Sequence, residues 1–201
     1  MSPLAKLVAW VSDHPVLFIF FRSLLENDFR SIREQIRRHL HLEPGQRTLD
    51  LGCGPGAFAD LFAAQDYVGV DLSRRYVDHA RAHRKGTFIA CDARHLELPD
   101  DRFDQILIFG LLHHLADEDV RAVLRESKRV LTRGGTLLVI EDVPTVDRLN
   151  LIGHLLHRIE NGAHIRTAEA YESLYREFGR IESSQILRSG ICDYHAAVLV
   201  A

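Results

Sequence analysis

A carboxylate and three alternating glycines, Asp50, Gly52, Gly54 and Gly56, are the residues whose types and spacing most directly imply chemistry. They close the run RTLDLGCGPGAF, in which a short apolar strand empties through Cys53 and the glycines toward a helix. Without a β-carbon, the backbone of such a turn can approach a flat, polar ligand of nucleotide type. GCGPGA also fits the loose dinucleotide pattern, with Ala57 at its last position. Asp50 argues against a diphosphate there, because a carboxylate at the mouth of the loop repels a pyrophosphate and suits a ligand that carries an amino group. Pro55 removes an amide where a diphosphate site needs one. The loop therefore favours a cationic amino-acid nucleoside over NAD.

Three later stretches add to this loop: VGVDLS at 68–73, ACDARHLELPDDRFDQILIFGLLHHL at 90–115 and RVLTRGGTLLVIED at 129–142. With these four ordered motifs the chain resembles the class I S-adenosylmethionine-dependent methyltransferases of the small single-domain type, most strongly over residues 45–142. The resemblance implies S-adenosylmethionine as cofactor and transfer of its methyl group to oxygen, nitrogen or carbon of a small-molecule acceptor.

Asp71 lies 19 residues after Gly52, the distance at which an acidic side chain reaches both ribose hydroxyls; it could instead start the following helix together with Ser73. In the cofactor site the resemblance implies, Leu72 lies against the adenine, Asp92 accepts from the exocyclic amine with Ala93 beside it, and Phe109 floors the pocket near the sulfonium or packs in the core. The cofactor-binding set is thus Asp50, Gly52, Cys53, Gly54, Gly56, Asp71, Leu72, Asp92, Ala93 and Phe109. Methyl transfer needs alignment and exclusion of water, and a base only where the acceptor must lose a proton. His113 and His114, just after the fourth strand, and His164 in the later segment are the candidate bases.

No metal is expected. His154 and His157 share a helical face but lack a third ligand. The metal-holding E-x-x-E-H segment of ubiquinone-type O-methyltransferases corresponds here to Gly110, Leu111, Leu112, His113 and His114, without carboxylates. FGLL stands where base-methylating enzymes carry [DN]-P-P-[YFW], which argues against nucleic acid. A net charge of −3 gives no global basic field either, and Arg30, Arg33, Arg37 and Arg38 read as the solvated face of a helix.

Positioning these residues requires a regular alternation. Strands are expected at Thr48–Leu51, Tyr67–Asp71, Thr87–Cys91, Phe103–Phe109 and Thr136–Glu141, with helices at 57–64, 74–84 and 117–131 between them. The fold class is α/β: a Rossmann-like, seven-stranded, mostly parallel sheet with helices on both faces. A C-terminal antiparallel hairpin, Ile181–Leu187 with Tyr194–Val200, closes its edge. One long amphipathic N-terminal helix carries Leu25, Phe29, Ile32, Ile36 and Leu40; it either packs on the flank or forms a lid over the site.

The 201 residues, 46% hydrophobic and without a linker-like stretch, read as one domain: lid 1–43, cofactor core 44–142, acceptor-site helical insertion 143–180 and closing hairpin 181–201. Val16–Phe21 is far short of the roughly 20 residues a membrane span needs. Three scattered cysteines suit a reducing cytoplasm. A homodimer is admitted but not required, with Tyr194 and His195 read as surface residues of an interface. Two alternatives keep many of the motifs, an NAD-dependent oxidoreductase and a non-catalytic cofactor-binding scaffold.

Overall fold

The computed structural model describes Trp10 and residues 14–62, 66–145, 150 and 164–200. Seven strands form one sheet: β1 (Arg47–Leu51), β2 (Asp66–Asp71), β3 (Thr87–Ala90), β4 (Phe103–Phe109), β5 (Leu131–Asp142), β6 (Arg180–Ser189) and β7 (Cys192–Val200). Their order is β3-β2-β1-β4-β5-β7-β6. The first five run parallel, and β7 enters antiparallel between β5 and β6. The order reverses between β1 and β4, so their carboxyl ends flank the crevice where ligands bind in such sheets.

Near-continuous apolar strands bury both faces, as a parallel sheet covered by helices requires. On one face Leu49, Ile106, Val139 and Leu199 pack under α4 (Asp117–Val130) and α5 (Ala168–Phe178). On the other, Leu107, Ile140, Ala196 and Val198 pack with α2 (Arg30–His39) and α3 (Arg74–His83). The helix starts follow local chemistry. Asp117, Glu118 and Asp119 favour the first turn of α4, and Lys128 and Arg129 its last. Thr167 accepts from the Ala170 amide to cap α5.

Four expectations are corrected. The N-terminal segment is two helices, α1 (Pro15–Leu25) and α2, separated by Asn27, Asp28 and Phe29, all at positive φ. Asn and Asp tolerate this left-handed conformation better than other side chains. The break lets Glu26 anchor on the hairpin while Phe29 turns into the core. The expected helix 57–64 is only a 3-10 turn, Ala59–Phe62: positive φ at Gly52, Gly54 and Gly56 delays the helical start, and 63–65 lie outside the described residues. β5 begins earlier than expected, at Leu131, and absorbs Gly134 and Gly135 beside a register shift between Phe103 and Gln105. Tyr194 and His195 are interior, not surface, residues: β7 is flanked on both sides and covered on both faces, leaving them 0% and 1% exposed.

Candidate cofactor and acceptor site

The glycine loop folds back on the end of β2. The Gly52 and Cys53 amides both donate to the Val70 carbonyl, at 2.8 and 3.0 Å. Gly54, at φ +53°, has an open front: an added β-carbon would meet only Tyr76, 3.9 Å away. The Cys53 side chain turns inward against Gly69, so only its backbone belongs to the loop surface.

Asp71 lies across this loop. One carboxylate oxygen accepts from the Gly54 amide at 2.8 Å and the other from Ser73 at 2.8 Å, while Ser73 itself caps α3. Two of the roughly four acceptor positions of the Asp71 carboxylate thus serve the backbone, one of them at the start of α3. Burial raises its pKa, and the two amides oppose the rise. Leu72, next along the chain, is 74% exposed at the strand tip. Asp92 is held more tightly than the sequence implies: Arg94 grips both oxygens, bonds on to Asp119 and lowers the Asp92 pKa. Ala93 stands beside it, half-buried.

Asp50 is 1% exposed and accepts from the Tyr67 hydroxyl at 2.7 Å. Burial pushes its pKa up to about 7, with the Tyr67 hydrogen bond opposing and Asp71 adding to the rise. The carboxylate expected at the loop's mouth thus lies beneath it. Phe109 is half-buried among Phe58, Tyr194 and Phe29, with ring centroids at 5.2, 5.5 and 6.0 Å.

On the acceptor side the three candidate histidines converge. The rings of His113 and His114 lie 4.0 Å apart, and the His164 amide donates to the His113 carbonyl at 3.0 Å. Arg166 clamps this junction, donating to the Leu112 and Leu115 carbonyls and pairing with Asp117. His113 is buried with Nδ1 2.9 Å from Glu141 Oε2, whereas His114 and His164 are exposed. His154 and His157 lie outside the described residues. Among the described residues no group of His, Cys, Asp and Glu is arranged to hold a metal ion.

Residues 48–135 match the methyltransferase domain family. An uncharacterized methyltransferase of Bacillus subtilis, YcgJ, is 33% identical over 136 residues, covering 63% of this chain and 53% of its own. Residues 48–135 form a methyltransferase domain of the S-adenosylmethionine-dependent kind. A human relative named for tRNA methylation is 29% identical over 60% of this chain and 26% of its own length. The chain spans about half the length of the first of these relatives and about a quarter of the second. The PH0226 protein of Pyrococcus horikoshii shares the fold, with a TM-score of 0.70 at 20% identity over 90% of both chains.

The residues present fit the methyltransferase cofactor. The loop offers an open glycine front, Asp71 keeps acceptor positions beyond those its two amides use, and an exposed leucine stands beside it. A second layer behind this candidate site is not foreseen from the sequence. Glu141 accepts from the Leu111, Leu112 and His113 amides as well as the His113 ring, and so shapes the whole turn after β4. Asp142 follows it, and Arg22, Glu26 and Tyr194 form a hydrogen-bonded set beyond. The available signal was the Glu-Asp pair that ends the apolar run of β5, a strand-tip acid like Asp71.

Proposed function

We propose that the chain transfers a methyl group from S-adenosylmethionine to a small-molecule acceptor. One observation carries this reading: Asp71 joins the glycine loop to the start of α3 and retains acceptor positions for a ribose at the crevice of the sheet. The cofactor supplies a sulfonium-bound methyl group that leaves as the sulfur becomes a thioether. In this reading Gly52, Gly54, Gly56 and the Cys53 backbone admit the amino-acid part, Asp50 sets the charge beneath it and Asp71 holds the sugar. Leu72 and Ala93 cover the purine, with Asp92, fixed by Arg94, at its edge. Phe109 walls off the reacting centre.

His113 is the base we assign first when the acceptor must lose a proton. Glu141 beside Nδ1 favours the tautomer whose basic lone pair is on Nε2. His114 and His164 stand next in line. The described residues of 1–43 act in this reading as cover and those of 143–180 as acceptor wall, while those of 44–142 and 181–201 hold the sheet; most of 143–163 lies outside the described residues.

A small acceptor is favoured over nucleic acid by the net charge of −3 and by the pairing of Arg33 with Asp60 and Arg38 with Glu34 on α2. No described helix is long and apolar enough to cross a membrane. Neither an oxidoreductase nor a non-catalytic scaffold is favoured by any observation.

Calorimetry with S-adenosylhomocysteine tests the cofactor role: Asp71→Ala is expected to weaken binding at least tenfold, about 1.4 kcal/mol. Equal affinity in the two proteins removes the ribose assignment. Methyl-labelled cofactor offered separately to the small-molecule and tRNA fractions of a cell extract tests the acceptor. Label in tRNA alone rejects the small-molecule reading.

A further inference from the structure

Asp142, at the tip of β5, is 1% exposed, and its Oδ2 receives no hydrogen bond. His113 Nδ1 lies 3.7 Å from this oxygen and belongs more closely to Glu141. The other carboxylates here are answered. Glu141 is ringed by three amides and the imidazole, and Glu26 pairs with Arg22 and accepts from Tyr194 at 2.7 Å. A buried carboxylate oxygen without a donor is unfavourable unless a cation or donor arrives.

The surroundings suit a cation. Asp142 is paired with Tyr194 across the β5–β7 ladder, and the Tyr194 ring lies 5.5 Å from that of Phe109. One cation already uses this aromatic wall: the Arg22 guanidinium stands 5.7 Å from both the Phe109 and Phe18 ring centres. Aromatic faces beside an unanswered carboxylate are the usual means of recognising an ammonium group.

We propose that Asp142 anchors the methyl acceptor and that this acceptor is an amine, held through its ammonium group against Phe109 and Tyr194. The proposal rests on the methyl-transfer reading and names its substrate class. The ammonium nitrogen gives one proton to Asp142 Oδ2, and the lone pair so released forms the new nitrogen–carbon bond. The carbon–sulfur bond of the sulfonium breaks, its electrons remain on sulfur as a thioether, and the proton leaves Asp142 for solvent with the methylammonium product. For such an acceptor Asp142, rather than His113, receives the proton. Burial, with Glu26 and Glu141 nearby, pushes the Asp142 pKa up to about 6 against the opposing pull of His113 and Arg22, which makes the carboxylate a usable proton acceptor.

The test titrates the protein, saturated with S-adenosylhomocysteine, with phenethylamine, 2-phenylethanol and phenylacetate. The amine is expected to bind at least tenfold more tightly than the alcohol or the acid, and Asp142→Asn to abolish that preference. Similar binding of all three, binding of none, or a preference that survives in Asp142→Asn overturns the proposal. S-adenosylhomocysteine affinity, measured first on each protein, shows that the variant is folded, and Asp142→Ser serves if Asn does not fold. Failure of the unaltered protein to bind S-adenosylhomocysteine would instead count against the methyl-transfer reading itself.

Discussion

The carboxylates at the carboxyl ends of β1, β2 and β5 differ in how much of their charge the fold answers. Asp71 has two backbone donors, Asp50 one hydroxyl, and Asp142 Oδ2 none. Asp50 carries a consequence that stability measurements can read. Its folded pKa is raised to about 7 from an ordinary 3.8, chiefly by burial. Between those values the unfolded chain has already released the proton that the folded chain still holds, so stability falls as pH rises through this window. A shift of that size corresponds to roughly 4 kcal/mol, since each pKa unit is worth about 1.4 kcal/mol. Asp50→Asn removes the ionisation but keeps an oxygen for the Tyr67 hydroxyl. Urea denaturation at pH 4 and pH 8 should show the variant gaining roughly 2–4 kcal/mol on the unaltered protein at the higher pH. Comparing the two pH values cancels any fixed cost of the new amide. Identical pH slopes in the two proteins would show that Asp50 does not titrate in this window.

At the scale of elements, α1 is the piece most loosely built into the fold. Val16, Phe20 and Leu24 are 66%, 60% and 68% exposed, and no residue of the helix is fully buried. Its C-terminal end is tied where Glu26 and Arg22 meet Tyr194 and the Ile191 amide donates to the Leu25 carbonyl, and midway Phe18 packs on Tyr76 of α3 with ring centroids 5.4 Å apart. Gly190 makes that approach feasible: at φ +57° its missing β-carbon would stand 2.0 Å from the Leu25 carbonyl oxygen. Gly190→Ala should push the hairpin tip off α1, at a cost of about 2 kcal/mol. Hydrogen exchange of the amides in 15–25 should quicken roughly 30-fold while those of β4 stay unchanged. Unaltered exchange in α1 would mean that the tip does not hold it. None of this was legible in the sequence, where 25, 29, 32, 36 and 40 form one helical stripe. Periodicity reports which residues are apolar, but not that Asn27, Asp28 and Phe29 reverse the backbone so that two helices meet different partners. The parallel strands were legible because each is a short apolar run bounded by turn residues, and the glycine loop because few other sequences permit that backbone. The Glu141 and Asp142 roles depend on contacts made from 28–30 residues away, which no local pattern encodes.

For the whole molecule, the family match ends at residue 135, yet the core does not. β5 beyond that point and β7 complete both layers. Ala197 and Leu199 face α4 and α5, while Tyr194, Ala196 and Val198 face the side of α2 and α3. β7 also supplies the neighbour that β5 needs along its free edge, from Thr136–Val200 to Asp142–Tyr194. Without it, β5 would present a row of unpaired backbone groups and an apolar strip on each face, a combination that invites association between chains. The part that resembles other methyltransferases most closely is therefore not a self-sufficient folding unit. A chain ending at Gly179 keeps the glycine loop, Asp71, Asp92, His113 and Glu141, every group assigned to cofactor or base. It nevertheless loses the partner of Asp142 across the sheet and the hydroxyl that holds Glu26. Such a chain should retain helical far-ultraviolet dichroism, lose near-ultraviolet signal, bind ANS and show no sharp urea transition. A cooperative transition within about 1 kcal/mol of the full chain would show instead that the parallel half carries the stability alone.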